Sequence, residues 1–166
     1  MMRRQINKPG KAKERTIPGI IVGVDDSVHS TNALRGAMQE AVLRQLPLTV
    51  MTVILRQVRP ATEIYWGAGP YTPDNINEDY VRTVVQELAE KAASEIGGTI
   101  PEITVNVVVG NPAEELVNAS RDADMLVVGS RGSGGFGKLL VGSVSSQVTH
   151  HAVCPVLVVP ATRPTL

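Results

Sequence analysis

The sequence predicts an α/β fold, a three-layer sandwich in which helices cover both faces of a mostly parallel five-stranded sheet. Five short runs are dense in β-branched and other apolar residues, a pattern typical of strands buried on both faces. Segments with helical spacing of apolar residues separate these runs, and parallel strands require such crossover connections. The chain has 166 residues, enough for one domain with a sizeable core.

The apolar runs predict strands at residues 20–24, 48–55, 103–109, 125–129 and 156–159. The first crossover has apolar residues at helical spacing and ends before Pro47. Its apolar positions are Leu34, Ala37, Met38, Ala41, Val42 and Leu46. A second stripe predicts a long helix that ends at residues 97–98, and consists of Ile76, Tyr80, Val84, Leu88 and Ala92. Asn111 and Pro112 are an N-cap and a first-turn proline, so a third helix begins there, and a short fourth helix fits residues 143–152.

Charge and composition indicate a cytoplasmic protein. Sixteen basic and sixteen acidic residues balance, but residues 1–17 hold six basic residues against one acidic residue, a net charge of +5. We therefore divide the chain into a basic flexible tail, 1–17, and a domain, 18–162. The tail has no aromatic residue or helical period, which favours a solvated terminus over an anchor for anionic partners, and we expect no nucleic-acid binding. A single cysteine excludes an intrachain disulfide, and no apolar run is long enough to span a membrane.

Two connections lie where ligands bind in such sheets, at the carboxyl ends of the strands where the winding reverses. Residues 25–27 follow the first strand, and the glycine-rich segment 129–143 follows the fourth. A third connection, 56–75, is long and contains Tyr65, Trp66 and Tyr71. It is either an aromatic lid over a base or a loop that its aromatic residues anchor on the body of the domain, and the second interpretation is favoured.

The glycine-rich segment has the chemistry of a phosphate cradle. Glycines let backbone amides turn toward an anion and leave room for its approach. A helix that starts near Ser143 adds free amides and the positive end of its dipole. Positive charge comes from Arg131 and Lys138, and hydroxyls come from Ser143 and Ser145.

Three overlapping motifs compete for this segment. Gly132, Gly134 and Gly137 match a dinucleotide fingerprint, but they follow the fourth strand and no acidic residue lies about 20 positions later. A Walker loop fails because Leu139 replaces the hydroxyl residue that would bind magnesium. The remaining pattern is Gly129-x-x-Gly132, nine residues, then Gly142-Ser143.

This pattern resembles the signature of the ATP-binding branch of the universal stress protein family, and the resemblance covers about residues 18–160. It includes the Val-Asp-Asp-Ser end of the first strand, the turn at 110–114, the run at 124–130 and the closing Cys-Pro-Val-Leu-Val-Val. The resemblance implies a Rossmann-like fold of the adenine nucleotide alpha hydrolase type.

The resemblance also implies residue roles. Asp25 is expected to hold the adenosine end of the nucleotide, and the backbone of Val53 is expected to contact adenine. A carboxylate suits ribose hydroxyls and would repel phosphates. The phosphate loop would have one wall at Gly129, Arg131 and Gly132, with Val128 included in the predicted site beside them. The opposite wall would consist of Gly142, Ser143, Val144 and Ser145.

The expected function is therefore an ATP-binding universal stress protein that acts as a nucleotide-dependent switch in a stress response, with Mg²⁺ joining the phosphates. No general base or nucleophile stands out, so no catalytic residue is assigned and the protein is at most a slow ATP hydrolase. The alternatives are a slow ATPase, autophosphorylation on Ser143 or Ser145, and an AMP or cyclic-AMP binder. The apolar last strand, 156–159, predicts a homodimer, and the switch would act on an unknown client protein.

Other polar residues have simpler interpretations. Ser27 is either a helix cap or a ligand, with neither favoured, and Asp26 is interpreted as a solvated turn residue. We expect His29 to face solvent. His150 and His151 are adjacent and cannot form an i, i+4 metal pair. Cys154 is expected to be a buried structural thiol.

Overall fold

The computed structural model describes residues 19–25, 27–55, 77–96, 102–132 and 141–160. These residues form five strands and four helices in strict alternation. The strands are β1 (Ile20–Val24), β2 (Leu48–Leu55), β3 (Ile103–Gly110), β4 (Met125–Gly129) and β5 (Val156–Val159). The helices are α1 (Val28–Arg44), α2 (Glu78–Ser94), α3 (Pro112–Ala119) and α4 (Ser143–His151).

All neighbouring strands of the sheet are parallel, in the order β3-β2-β1-β4-β5. The predicted three-layer α/β class is therefore confirmed, with strand bounds that match the sequence prediction to within one residue. No helix in the described ranges is long and apolar enough to cross a membrane. The predicted tail, 1–17, and the aromatic connection, 56–75, lie outside the described residues, as do Asp26 and Lys138.

Alternate side chains of the central strands supply two separate cores. On one face, Val22 and Val127 pack with the buried residues of α1 and α2. On the other face, Leu126 and Val128 pack with Leu116 of α3 and Val148 of α4. Because both faces of the sheet are covered, the strands are continuously apolar rather than alternating.

Local signals set the ends of α1 and α3. Ser27 caps α1 by accepting a hydrogen bond of 3.2 Å from the amide of Ser30, so the helix-cap interpretation of Ser27 is confirmed. Asn111 caps α3 by accepting from the amides of Ala113 and Glu114 at 3.0 and 3.3 Å. Gln45 ends α1 in the left-handed conformation, at φ 54°, just ahead of Pro47.

The predicted helix is present as α2, but its apolar stripe is only partly buried. Tyr80 and Val84 are 67% and 45% exposed. The buried residues are Val85, Ala89 and Ala92. A stripe with a constant spacing of four residues drifts around a helix of 3.6 residues per turn, so its first members have left the buried face. The helix also begins two residues later than predicted, after the N-cap Asn77, and ends at Ser94.

Candidate functional site

The strand order places a crevice between β1 and β4. The chain moves from β1 to β2 and β3 on one side, and then returns to the other side of β1 to form β4 and β5. The winding thus reverses between β1 and β4, and ligands bind at the carboxyl ends of strands at such a point. Val22 pairs in register with Val127, so the residues three positions beyond them, Asp25 and Ser130, end the two strands side by side.

Asp25 lies at the end of β1 and faces the glycine-rich segment. Its Oδ1 accepts a hydrogen bond of 3.0 Å from the amide of Ser27 and another from the Ser27 hydroxyl. Its Oδ2 lies on the side of Gly132, where a Cβ added to that glycine would come within 2.8 Å of the oxygen. The carboxylate therefore lies close to the near wall of the predicted phosphate loop.

The three motif glycines have no room for a larger residue without a shift of their surroundings. A Cβ on Gly129 would lie 3.0 Å from the carbonyl oxygen of His29 and 3.1 Å from that of Arg131. A Cβ on Gly142 would lie 3.3 Å from the Cα of Arg131, tighter than ordinary contact. Glycine at these positions therefore lets the end of β4 and the start of α4 pack closely against each other.

Hydrogen bonds join the two walls of the loop. The amide of Gly142 donates to the carbonyl oxygen of Ser130 at 2.7 Å. The Ser145 hydroxyl contacts two carbonyl oxygens, that of Ser130 at 3.1 Å and that of Gly142 at 3.0 Å. Ser145 is 3% exposed. The hydroxyl proton of Ser145 is therefore donated within the protein. The predicted contact of this hydroxyl with a phosphate would require these hydrogen bonds to rearrange. The Ser145 amide lies in the first turn of α4.

The amino end of α4 points its backbone amides into the same region. Gly142 is the N-cap and, in the described part of the chain, makes no side-chain cap bond. The first amides of a helix lack partners inside it, and here they belong to Ser143, Val144 and Ser145. Ser143 and Arg131 are both exposed, and the Cα of Arg131 lies beside Gly142, 3.3 Å from the position that a Cβ would take there. Amides, helix dipole and positive charge at one place favour an anion.

Val53 and Val128 direct their side chains into the core rather than the crevice. Val128 is 3% exposed, and both side chains belong to the core that α3 and α4 cover. Val53 lies near the carboxyl end of β2, directly after Thr52, whose hydroxyl donates to the carbonyl oxygen of Val24 at 3.0 Å. Any contact of either valine with a ligand is accordingly made by the main chain or by the edge of a packed side chain.

His29 corrects the sequence prediction, which placed it in solvent. The side chain is only partly exposed, and its Nδ1 is buried without a hydrogen-bond partner in the described residues. The first turn of α1 packs against the end of β4, as the contact between the His29 carbonyl and Gly129 shows. Burial of His29 follows from the pairing of β1 with β4, which the local sequence does not reveal.

Cys154 has the environment of a structural thiol. Its side chain is partly buried, and its Sγ lies 3.5 Å from the carbonyl oxygen of Pro155. Burial raises the pKa of the Cys154 thiol, and the negative charge of Asp124 acts in the same direction. The adjacent His150 and His151 are both exposed at the end of α4, and no group of three metal-ligating side chains occurs in the described ranges.

Two contributors to the site were not found from the sequence. Ser30 is buried and donates to the carbonyl oxygen of Asp25 at 2.6 Å, and Ser130 supplies the carbonyl that joins the loop walls. Ser30 lies in the first turn of α1, and only the general tendency of serine to bond to nearby backbone marks it. Ser130 acts through its backbone, so its residue type carries no signal.

A model of the universal stress protein family matches residues 18–160. The chain belongs to this family. A universal stress protein of Mycolicibacterium smegmatis is 39% identical over 145 residues, which are 85% of this chain and 47% of the relative. One of Mycobacterium tuberculosis is 37% identical over 152 residues, 89% of this chain and 50% of the relative. The chain therefore spans about half the length of the curated relatives that it matches.

Solved universal stress proteins share the fold. One from Lactobacillus plantarum superposes with a TM-score of 0.70 at 21% identity, covering 86% of this chain and 97% of that one. A universal stress protein in complex with cyclic AMP has a TM-score of 0.60 at 28% identity, covering 87% and 98% of the two chains. One from Archaeoglobus fulgidus in complex with dAMP has a TM-score of 0.56 at 23% identity, covering 87% and 98%.

Proposed function

We propose that this universal stress protein binds ATP in the crevice between β1 and β4 and acts as a nucleotide-dependent switch. The observation that carries the proposal is that the Asp25 carboxylate lies beside Gly132, within 2.8 Å of the position that a Cβ on that glycine would take. It brings an acceptor for ribose hydroxyls and the start of a glycine loop to one edge of the sheet. The first turn of α4 follows at the far wall, where Gly142 bonds to Ser130.

The charge distribution supports one orientation of the nucleotide. The phosphates would lie toward the amides of Ser143 and Val144, where the helix dipole favours negative charge. The adenosine end would lie toward Asp25, because a carboxylate next to phosphates costs about 4 kcal/mol for each like-charge pair near 4 Å at a surface-type dielectric. Arg131, exposed on the near wall, would add positive charge beside the phosphates.

The residues present fit an ATP·Mg²⁺ ligand. A side chain at Gly129, Gly132 or Gly142 would meet protein atoms, so glycine at these positions lets the loop walls lie close together. When bound, Mg²⁺ would neutralise part of the phosphate charge, and the phosphate oxygens themselves would supply ligands for it. The chain would contribute the amides of the α4 turn and the hydroxyl of Ser143.

The neighbours that bind adenine nucleotides support the choice of base. The cyclic-AMP complex comes from a protein 28% identical to this chain, and the second complex contains dAMP. These ligands make AMP and cyclic AMP the competing candidates for the same crevice. We favour ATP because its triphosphate would extend from the ribose beside Asp25 and Gly132 to the amides of the α4 turn.

We also propose that two copies of the chain associate through β5. This strand lies at one edge of the sheet, and its four residues, all apolar, are only partly buried. An unpaired apolar edge is a template for a second strand. A symmetric pair of β5 strands would satisfy both edges at once.

The experiment is identification of the nucleotide that stays with the purified protein, by mass spectrometry of the denatured supernatant, followed by calorimetry with ATP, AMP and cyclic AMP. We expect ATP to be retained and to bind most tightly. Gly132→Val should abolish binding, since its side chain would collide with the Asp25 carboxylate. Gly110→Val, at the end of β3, is the matched control, because its side chain would meet the Glu115 carboxylate instead of that of Asp25, and it should bind normally. Tighter binding of cyclic AMP or AMP, or equal ATP affinity in a folded Gly132→Val variant, would contradict the proposal.

A further inference from the structure

Two serines of the first turn of α1 form hydrogen bonds with Asp25. The amide and the hydroxyl of Ser27 both donate to Oδ1 of the carboxylate. The Ser30 hydroxyl donates to the main-chain carbonyl of Asp25 at 2.6 Å and also lies 2.9 Å from that of Ser27. The carboxylate and its backbone are thus held from one side by the first turn of α1.

Ser27 connects the helix cap to the carboxylate through a single oxygen. Its Oγ accepts a hydrogen bond of 3.2 Å from the amide of Ser30, and this bond occupies a lone pair. The hydroxyl proton then points the other way, to Oδ1 of Asp25. Two donors on Oδ1 fix the rotation of the carboxylate, and Oδ2 lies on the Gly132 side.

We propose that Ser27 is a positioning residue that turns Oδ2 of Asp25 into the crevice to accept hydrogen bonds from the ribose hydroxyls of a nucleotide. The inference rests on the proposed function, since it names how the adenosine end of the same site is selected. Ser27 itself touches no ligand. Its effect passes through the orientation of Asp25.

The orientation matters because recognition of a hydroxyl depends on a buried acceptor that the wrong ligand leaves without a partner. A nucleotide that lacks both ribose hydroxyls would cover the carboxylate without donating to it. A carboxylate that rotates freely would form hydrogen bonds to water instead, so the loss of affinity for the dideoxy nucleotide would be smaller. Ser27 is therefore expected to control discrimination between ribose and dideoxyribose more than overall stability.

The test is calorimetry with ATP and with 2′,3′-dideoxy-ATP, each as the Mg²⁺ complex. The intact chain should bind ATP at least about tenfold more tightly, the discrimination that one charged hydrogen bond gives. Asp25→Asn should remove most of this ratio. Ser27→Ala should lower it to about threefold or less, because Oδ1 of Asp25 loses one of the two donors that fix its orientation. Ser27→Ala added to Asp25→Asn should change the ratio no further.

Three variants separate positioning from helix capping. Ser27→Asp retains an acceptor for the Ser30 amide but loses the hydroxyl donor, so it should lose discrimination while the helix stays capped. Ser27→Thr keeps both functions and should restore the ratio. Asn77→Ala removes the cap of α2, where the side chain accepts from Tyr80, and should reduce the melting temperature without affecting discrimination.

The outcomes distinguish this inference from the proposed function. Failure of the intact chain to bind any adenine nucleotide would overturn both. A second outcome would overturn the role of Ser27 alone: the intact chain binds ATP, Asp25→Asn reduces the ratio of ATP to dideoxy-ATP affinity, and Ser27→Ala leaves this ratio unchanged. A crystal structure of nucleotide-free Ser27→Ala gives a readout independent of binding: the Asp25 carboxylate should be rotated away from the Gly132 side, and an unchanged carboxylate would also overturn the inference.

Discussion

The amide of Gly142 donates a hydrogen bond of 2.7 Å to the carbonyl oxygen of Ser130, and this bond joins the start of α4 to the end of β4. Gly142 is also the N-cap of α4, at φ −73°, a conformation open to any residue. It therefore has two separable properties. It is a capping position without a capping side chain, and it is a wall of the proposed phosphate loop.

Gly142→Asp should separate stability from binding. An Asp N-cap accepts from the helix amides and contributes about a few tenths of a kcal/mol more than glycine, offset in part by contact with Arg131 Cα at 3.3 Å. The same carboxylate would occupy the region proposed for phosphates, so the affinity for ATP should fall more than about 100-fold. Chemical denaturation and calorimetry measure the two effects.

Gly142→Asn is the matched control for that substitution. Asn caps a helix about as well as Asp and has nearly the same shape, but it carries no charge. Its ATP affinity should stay well above that of Gly142→Asp. An equal loss of ATP affinity in the two variants would show that the size of the side chain matters rather than its charge. It would contradict the proposed position of the phosphates beside α4.

The homodimer proposal has a matched pair of tests at the two edges of the sheet. Val158→Lys puts a charge on β5 and should yield a monomer in light scattering. Because the Val158 side chain packs on the core that α3 and α4 cover, circular dichroism must first show that the variant is folded. Thr104→Lys puts the same charge on β3, the opposite edge, where the side chain is already exposed, and should leave the dimer intact. A monomer from Thr104→Lys and a dimer from Val158→Lys would place the interface on β3.

Much of the fold and part of the site could be predicted from the sequence, because their signals are local. Ser27 and Asn111 cap helices through their own side chains, and the apolar runs mark strands wherever these lie in the sheet. Asp25 and Gly132 could be placed near each other because both follow strands that end at the same edge.

The remaining features depend on which elements are neighbours. The Nδ1 of His29 is buried because α1 packs on the end of β4, and Ser145 uses its hydroxyl inside the loop because α4 begins beside Ser130. The partial exposure of the apolar stripe on α2 has a different origin. Tyr80 and Val84 are apolar residues that the helix leaves exposed, and a pattern cannot distinguish such residues from buried ones.

Cys154 should react slowly with alkylating agents at neutral pH. Burial disfavours the thiolate and raises the pKa of the thiol, so the reactive form is scarcer in the folded protein than in the unfolded chain until the pH exceeds the raised value. Between pH 7 and 10, the rate of reaction with iodoacetamide should rise at a higher pH in the native protein than in protein unfolded in urea. A native rate equal to the unfolded rate at pH 8 would show an accessible, unperturbed thiol.

Turnover distinguishes a switch from an enzyme. Hydrolysis needs a water held in line with the terminal phosphate and a base within hydrogen-bond reach. Asp25 is held by Ser27 and Ser30 at the end of β1, and the proposed orientation puts it at the adenosine end. Positive charge from Arg131 would stabilise the ground state and the transition state alike, which tightens binding without raising the rate.

We therefore expect ATP turnover far below the enzyme median of roughly 10 per second, with intact ATP recovered after hours of incubation. Slow autophosphorylation, where it occurs, should fall on Ser143, because its hydroxyl is exposed while Ser145 is 3% exposed and bonded to the loop. Phosphopeptide mass spectrometry should show that Ser143→Ala removes the label and that Gly132→Val, which blocks the nucleotide, removes it as well. Several turnovers per second in the intact chain, lost in Gly132→Val, would instead make the protein an ATPase.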